Sequence, residues 1–276
     1  MNPALYERLD LPFIPPELRE DAGEVEAAAA GRLPAGLVRL EDIRGAVHCH
    51  TVWSDGRHSV EEMARAADAM GLRYLTITDH STSAAYAHGL DANRLRRQWD
   101  EIARVQEQVA VRLLRGTESD ILRDGSLDFP DAMLARLDVI IASVHNRHGL
   151  DANQMTRRLV RAVRHPLCKI WGHALGRYVL SRPPFACHMD EVLDAIAESR
   201  AIIEVNGDPH RLDLAPPHIR AAKRRGIRFV VSADAHSTTG IRNLRWGVDM
   251  ARRGWLAKND VLNTLDANDF AAAVRP

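Results

Sequence analysis

Histidine is the residue type in this sequence that most clearly points to chemistry. The chain has 13 histidines, and several lie within or at the ends of short apolar segments, where an apolar residue would be the ordinary choice. His48 and His50 are separated by a single residue, and Asp234 and His236 repeat that spacing. Residues two apart in an extended backbone point to the same side, so each pair is suited to binding one metal ion.

Other imidazole and carboxylate side chains stand at comparable positions along the chain. They are His80, Glu118, His145 and His173. A single histidine in a strand is usually an ordinary core or surface residue, but so many candidates in comparable positions indicate a shared function. Because imidazoles are mixed with carboxylates, the ligand set favours zinc, manganese or iron over magnesium or calcium. The other histidines are assigned no ligand role: His58, His88, His148, His165, His188, His210 and His218.

The segments that carry the candidate ligands alternate with helical patterns. Seven apolar runs predict strands: AVHCH (46–50), RYLTITDH (73–80), VRLLRGTES (111–119), DVIIASVH (138–145), CKIWGH (168–173), AIIEVN (201–206) and RFVVSADAH (228–236). The stretches between them repeat apolar residues with a period near 3.6, which is typical of amphipathic helices. Ser59 with Glu62 predicts a capping box, and Gly71 and Gly226 predict left-handed helix ends.

This alternation predicts an α/β fold with a parallel sheet, and seven strands predict closure into a barrel or a strongly curved sheet. Active-site residues of such barrels lie at the carboxyl ends of the strands, which is where the candidates lie. The 276 residues are close to the roughly 250 typical of a (β/α) barrel, so we expect one catalytic domain over residues 45–276. Residues 1–44, rich in Pro, Glu, Arg and Ala, are interpreted as an N-terminal extension.

Charge and hydropathy limit the functions open to the chain. It carries 37 basic and 37 acidic residues, so no broad positive field would hold long duplex nucleic acid, and any nucleic-acid role depends on a local site. The sequence has no run of 18 apolar residues, and its first twenty residues lack the basic and then apolar pattern of a secretion signal. We therefore expect a soluble, cytoplasmic protein with no membrane partner.

The motifs resemble those of a known superfamily. In chain order they are HCHTVWSDG, TITDHS, GTESDILRDGSLD, ASVH, WGHALGR, EVNGDPHRLDL and SADAH. This series resembles the polymerase and histidinol phosphatase (PHP) superfamily, in particular the C-terminal PHP domain of bacterial family X DNA polymerases, over residues 45–276. LPFIPPELRED in the extension is similar to the segment that precedes that domain. The resemblance implies a distorted (β/α)7 TIM-like barrel of the PHP type with a trinuclear metal site.

The resemblance also implies how three divalent metal ions (Zn, Mn or Fe) would be held. The first would be bound by His48, His50, Glu118 and Asp234, the second by Glu118, His145 and His173, and the third by Asp55, His80 and His236. Glu118 would bridge the first two ions. Many single-domain members have a histidine at the position of Asp55, whereas the polymerase-linked branch typically has aspartate. Asp55 therefore favours a role at nucleic-acid ends.

The implied activity is metal-dependent hydrolysis of phosphate esters, with 3′-5′ exonuclease or 3′-phosphatase action on nucleic-acid ends as the leading hypothesis. Glu118, Asp234 and Arg177 are the predicted catalytic residues. Arg177 and Arg211 follow the fifth and sixth strands, where each either binds phosphate oxygens or makes an ordinary surface salt bridge. Asn206 ends the sixth strand and either orients the substrate or closes a turn.

Two alternatives remain at the level of the sequence. The first is a small-molecule phosphatase that acts on histidinol phosphate or a nucleotide monophosphate. The second is a non-catalytic docking remnant of a polymerase, which the complete ligand set disfavours because buried charged groups destabilise a protein that binds no metal. The expected partners are a phosphate-ester substrate and single-stranded DNA ends or nucleotides. The oligomeric state and a separate polymerase partner are left open.

Overall fold

The computed structural model describes residues 4–275 and confirms the predicted (β/α)7 barrel. Within those residues the seven strands are β1 (Gly45–Cys49), β2 (Tyr74–Ile77), β3 (Arg112–Asp120), β4 (Val139–Ser143), β5 (Ile170–Trp171), β6 (Ile202–Asn206) and β7 (Phe229–Ala235). Each strand pairs in parallel with the next in sequence, and β7 returns to β1, so the sheet is closed. Residues 1–3 of the predicted extension and residue 276 of the predicted domain lie outside the described residues.

Helices surround the barrel and connect its strands. They are α1 (Ala4–Arg8), α2 (Glu24–Ala29), α3 (Val60–Ala69), α4 (Ala92–Gln106), α5 (Asp131–Leu134), α6 (Ala152–Val163), α7 (Met189–Ala197), α8 (Pro216–Arg224), α9 (Leu244–Arg253) and α10 (Ala267–Val274). The capping box before α3 is confirmed, because Ser59 and Glu62 each accept the other's backbone N–H. Gly71 and Gly226 have φ values of 76° and 75°, which confirms the predicted left-handed helix ends.

The amino-terminal end of the barrel interior is filled with apolar side chains. Val47, Ile141 and Val230 belong to this interior cluster, and α10 contributes Phe270. The Phe270 ring stacks on the Tyr74 ring with centroids 4.8 Å apart. Burying one such large side chain stabilises the fold by roughly 1.5–3 kcal/mol. The strands are therefore held firmly at the end opposite to the candidate ligands.

The N-terminal extension packs against the barrel through α9 and the turn that follows it. Arg252 donates to Glu17 over 2.9 Å, and Arg253 donates to Glu20. Leu18 belongs to a small apolar cluster that packs against Trp255. None of the helices in the described part of the chain has the length and apolar character of a membrane-spanning segment.

Candidate metal centre

The structure brings all nine predicted ligands together at the carboxyl ends of the strands. Their nitrogen and oxygen atoms form four overlapping groups, each with all atoms within 4.8 Å of one another. The groups are His48, Glu118 and His173; His48, His50 and Asp234; His80, Glu118 and His145; and His50, Asp55, His80 and His236. The overlap describes one compact cluster rather than four separate sites.

Glu118 lies at the middle of this cluster, and its two carboxylate oxygens face different imidazoles. Oε1 is 2.7 Å from Nε2 of His173 and 3.3 Å from Nε2 of His145. Oε2 is 2.9 Å from Nδ1 of His80 and 3.3 Å from Nε2 of His48. Glu118 is 1% exposed. A carboxylate in this position can be shared between two metal ions.

Asp55 forms the more open edge of the cluster. Its carboxylate oxygens lie 3.4 Å from Nε2 of His236, 3.6 Å from Nε2 of His80 and 3.8 Å from Nδ1 of His50. The side chains of Asp55 and His236 are 32% and 35% exposed, whereas those of the other ligands are at most 9% exposed. His50 also faces this group, so the structure offers four ligand atoms here where the sequence resemblance implied three residues.

The backbone of the two ligand pairs, His48 with His50 and Asp234 with His236, departs from regular extended strand. The sequence argument assumed that each pair lies on regular extended backbone, but His48 has φ 67° and Asp234 has φ 47°. The pairing register of β1 shifts between Ala46 and Cys49, so His48 stands in an irregular part of the strand. The assumption of regular alternation was wrong, although both members of each pair reach the cluster. Non-glycine residues with positive φ are strained and concentrate at functional sites.

A buried carboxylate that the sequence argument missed lies behind His48. The Nδ1 of His48 donates to Oε1 of Glu204 over 2.5 Å, which leaves the Nε2 lone pair facing Glu118 and Asp234. Glu204 also accepts the backbone N–H of His173. Glu204 is fully buried at the centre of β6. An acidic residue inside the apolar run AIIEVN was the signal that could have identified it.

Two further acidic residues support the cluster from outside, Asp120 by holding a ligand and Asp79 by holding the loop that precedes Asp55. The Nδ1 of His145 donates to Asp120 over 2.7 Å, so its Nε2 faces Glu118. Asp79 is fully buried and accepts from the backbone N–H of Thr51 and, over 2.5 Å, from the hydroxyl of Ser54. Hydrogen-bonded carboxylates of this kind orient metal-binding imidazoles and loops in proteins. Their signal in the sequence was their position beside a predicted ligand.

For His48 and Glu118, burial and neighbouring charges shift the pKa in opposite directions. Burial would lower the pKa of His48, but nearby carboxylates, Glu204 foremost, raise it well above the usual histidine value. Burial would raise the pKa of Glu118, but the imidazoles, His145 foremost, hold it well below its usual range. For His50, burial and the adjacent imidazoles both lower the pKa, to about 3. Glu118 is therefore ionised and His50 neutral near pH 7, which are the forms that bind metal, whereas the raised pKa of His48 means that its ring must lose a proton to bind metal.

The three predicted substrate-binding residues occupy different positions around the cluster. Arg211 is 7% exposed and donates from Nε to Asp234 over 2.9 Å. Arg177 donates to the backbone carbonyl oxygens of Arg211, at 2.7 Å, and of Leu212. Asn206 is buried, and its amide donates to Glu204 and Asp234 over 3.1 and 3.2 Å. Two of the three side chains thus contact a candidate ligand directly.

The donor set fits divalent metal ions. Several buried ring nitrogens that face the cluster have no well-aligned hydrogen-bond partner among the described residues: His48 Nε2, His50 Nδ1 and Nε2, His80 Nδ1 and His145 Nε2. Unpaired buried polar atoms cost free energy, and bound metal ions would satisfy them. The mixture of six imidazoles with carboxylates is the chemistry that zinc, manganese and iron prefer.

A closed parallel barrel with imidazoles and carboxylates clustered at its carboxyl face is the architecture of a metal-dependent hydrolase. The family described as PHP domain matches residues 46–208, and the chain belongs to that family. The chain is 35% identical over 271 residues to the DNA polymerase/3′-5′ exonuclease PolX of Bacillus subtilis (strain 168), a match that covers 98% of this chain and 47% of that protein. The chain thus spans about half the length of that relative.

Other relatives and a solved structure agree with this family. The chain is 26% identical over 234 residues to a probable phosphatase of Thermoanaerobacter sp. (strain X514), covering 79% of this chain and 89% of that protein. The solved histidinol phosphate phosphatase of Lactococcus lactis subsp. lactis Il1403, complexed with Zn, L-histidinol and phosphate, has a TM-score of 0.54 and 19% identity, covering 75% of this chain and 93% of that chain. The barrel fold and the predicted class, a metal-dependent phosphoesterase, are confirmed.

Proposed function

We propose that this protein hydrolyses phosphate esters at nucleic-acid ends, as a 3′-5′ exonuclease or a 3′-phosphatase, with three divalent metal ions (Zn, Mn or Fe) bound in the cluster. The observation that carries this proposal is the compact cluster of nine imidazole and carboxylate side chains around Glu118. We also propose a cytoplasmic location for the enzyme. No serine or cysteine nucleophile is required, because metal-dependent phosphoesterases use activated water.

The proposed ligand assignment is the one that the family resemblance implies, and all of its residues belong to the cluster. One ion would be held by His48, His50, Glu118 and Asp234, a second by Glu118, His145 and His173, and a third by Asp55, His80 and His236, with His50 beside it. Glu118 is the shared ligand, because each of its oxygens faces a different set of imidazoles. The third group includes the more exposed side chains, so we expect its ion to be lost most readily.

Bound divalent ions would lower the pKa of a coordinated water and stabilise charge on the phosphoryl oxygens. The protein's own residues fix the geometry in which this occurs. Glu204 and Asp120 hold His48 and His145 with their Nε2 atoms facing inward. A guanidinium has five N–H donors, and the hydrogen bonds that Arg177 and Arg211 make to the protein do not use all of them. Each side chain therefore has donors left for phosphate oxygens.

Asn206 is proposed to act through the carboxylates rather than on the substrate. Its buried amide donates to Glu204 and Asp234, and these contacts use both of its N–H groups if each takes one. We therefore propose Asn206 as a positioning residue, Arg211 and Arg177 as phosphate-binding residues, and Arg177 as the one of the two that also assists catalysis.

Action on nucleic-acid ends is supported by the extent of the similarity to the polymerase relative. The match covers 98% of this chain, so it includes the N-terminal extension as well as the barrel. Asp55, typical of the polymerase-linked branch, supports the same substrate. The second candidate is a small-molecule phosphatase, which is favoured by the zero formal net charge of the chain and by its similarity to the probable phosphatase over most of that protein's length.

The experiment that tests the proposal is a substrate panel with metal-loaded protein. Single-stranded oligonucleotides with 3′-hydroxyl and 3′-phosphate ends are compared with histidinol phosphate and a nucleotide monophosphate in manganese and in zinc. We expect the oligonucleotide ends to be hydrolysed with the highest kcat/KM. Glu118→Gln protein purified in parallel controls for contaminating nuclease.

Faster hydrolysis of histidinol phosphate, with no cleavage of oligonucleotides, would establish the small-molecule alternative. A protein that binds less than one equivalent of metal and hydrolyses nothing on the panel would be a docking module. Metal content is measured by elemental analysis on the same sample, so the two outcomes are separated.

A further inference from the structure

A second cavity opens beside the metal centre. It has a volume of about 530 Å³ and is lined by residues of the loops that follow β2, β3 and β4. We call it the side pocket and define it by Tyr86, Arg123, Arg147 and His148, with Arg158 of α6 at its base. His145 and Asp120 also line it, so it shares a wall with the candidate ligands. Its size is within the range of roughly 300–1000 Å³ found for small-molecule sites.

Tyr86 presents an aromatic ring at the border between the side pocket and the metal centre. Its ring centroid lies 6.1 Å from that of His80 and 6.1 Å from that of His145. Tyr86 is 69% exposed. Large aromatic side chains are normally packed, and exposed ones on a rigid support are typical of binding surfaces.

The support beneath Tyr86 is firmly held. The ring stands on the short helical turn Ala85–Ala87 in the loop between β2 and α4. Ser83 donates its backbone N–H and its hydroxyl to Asp128, over 2.7 and 2.8 Å. Arg94 donates to two backbone carbonyl oxygens at the end of the loop, over 2.5 and 3.1 Å. The exposure of the ring is therefore built into the fold.

The side pocket is positively charged. Three arginines line it, Arg123, Arg147 and Arg158, against one carboxylate, Asp120, which is already hydrogen-bonded to His145. Arg158 is 3% exposed and donates to three backbone carbonyl oxygens of the surrounding loops, so its charge is not compensated by a carboxylate within those contacts. A buried guanidinium of this kind projects positive potential into the cavity.

We propose that the side pocket binds the terminal nucleoside of a single-stranded 3′ end, whose base stacks on Tyr86 while its 5′-phosphate lies at the metal centre. This inference rests on the proposed function and specifies which part of the substrate is recognised. A planar ring beside guanidinium groups is the combination that binds nucleotides without strong sequence preference. Histidinol phosphate would bring no aromatic base large enough to span the ring and the arginines, so it would leave most of the pocket unused.

The test compares two phosphodiesters that share a leaving group. Thymidine 5′-(p-nitrophenyl phosphate) carries a nucleoside on the scissile phosphate, whereas methyl p-nitrophenyl phosphate carries none. Stacking of one base changes affinity by roughly five- to 150-fold. We expect Tyr86→Ala to lower the ratio of the two kcat/KM values by about tenfold, and Tyr86→Phe to keep the ratio within about twofold of the wild type.

Trp246→Ala is the matched control, because it removes another partly exposed aromatic ring, on α9, that does not line the side pocket. Two results would overturn the proposal that the side pocket binds the terminal nucleoside, while leaving the phosphodiesterase function in place. The first is an equal loss of activity on both diesters in Tyr86→Ala. The second is a decrease in the ratio of kcat/KM values in Tyr86→Phe as large as that in Tyr86→Ala. Wild-type protein that hydrolyses p-nitrophenyl phosphate but neither diester would overturn the proposed exonuclease function and the pocket together.

Discussion

The two ends of the barrel are built from the same seven strands and hold opposite chemistry. At the amino end, Val47, Tyr74 and Phe270 fill the interior with apolar groups. At the carboxyl end, the next residue of β1, His48, joins Glu118 and the other ligands in a buried polar cluster. One residue along a strand separates a position that stabilises the fold from one that belongs to the candidate metal centre.

This contrast shows where stability and function reside. Apolar burial at the amino end stabilises the fold whether or not metal is bound. Buried imidazoles and carboxylates at the carboxyl end oppose folding unless they are paired or bound to an ion. Substitutions at the two ends are therefore expected to separate into effects on stability and effects on metal binding and catalysis.

The largest effect is expected for Glu118→Gln at the carboxyl end. The amide cannot supply an anionic oxygen to both sets of imidazoles, so we expect kcat/KM to fall by roughly a thousandfold, about 4 kcal/mol of transition-state stabilisation. The fold should persist, because the apolar interior lies beneath the site. Far-UV circular dichroism and thermal unfolding check the fold, and Glu107→Gln on the exposed end of α4 is the control. Near-normal turnover would show that Glu118 is not a shared ligand.

Phe270→Ala tests the opposite end. Removing this fully buried ring, which stacks on Tyr74, should reduce the free energy of unfolding by about 3 kcal/mol or more. Metal content and kcat below the unfolding transition should stay close to those of the wild type. Chemical denaturation with and without metal measures the first effect, and elemental analysis measures the second. A large loss of metal in the folded variant would mean that the two ends are coupled.

Glu204→Gln should separate positioning of the ligands from direct binding. The neutral amide weakens the hold on Nδ1 of His48 and reduces the negative charge beneath the ring, so metal affinity should fall about 10- to 100-fold. Competition with a chelating dye measures this affinity without reference to turnover. Glu191→Gln, exposed in the first turn of α7, is the control. An unchanged affinity would assign Glu204 to folding alone.

The strand ends and the ligands were predictable from the sequence because each carries a local signal. A histidine such as His145 or His173 at the end of an apolar run is unusual in itself, and the alternation of strands with helices places all such ends on one face. All seven predicted strands are present for the same reason.

Features that depend on distant contacts were not predictable in this way. Phe270 closes the amino end through Tyr74, a partner from the other half of the chain, and no local pattern pairs the two. The positive φ of His48 lies where the pairing register of β1 shifts against both neighbouring strands. Glu204 did carry a signal, a carboxylate within an apolar strand, but it lacks the repeated spacing that marked His48 and His50.

The smallest expected effect concerns charge at the carboxyl end. The chain has no net charge, so an oligonucleotide should be held by the metal ions and a few local arginines, and roughly two to four phosphates would be neutralised. Counterion release then predicts that log affinity falls with log salt at a slope between about −1 and −3.

Arg123→Gln in the side pocket should make that slope shallower by about 0.7, whereas Arg104→Gln, exposed near the end of α4 that lies toward the amino face, should not change it. Fluorescence anisotropy with an oligothymidylate whose 3′-terminal linkage is an uncleavable methylphosphonate measures both values. A slope near −7, as expected for ten phosphate contacts, would show that an extended basic surface binds the oligonucleotide. Contact with the substrate would then not be confined to the carboxyl face of the barrel.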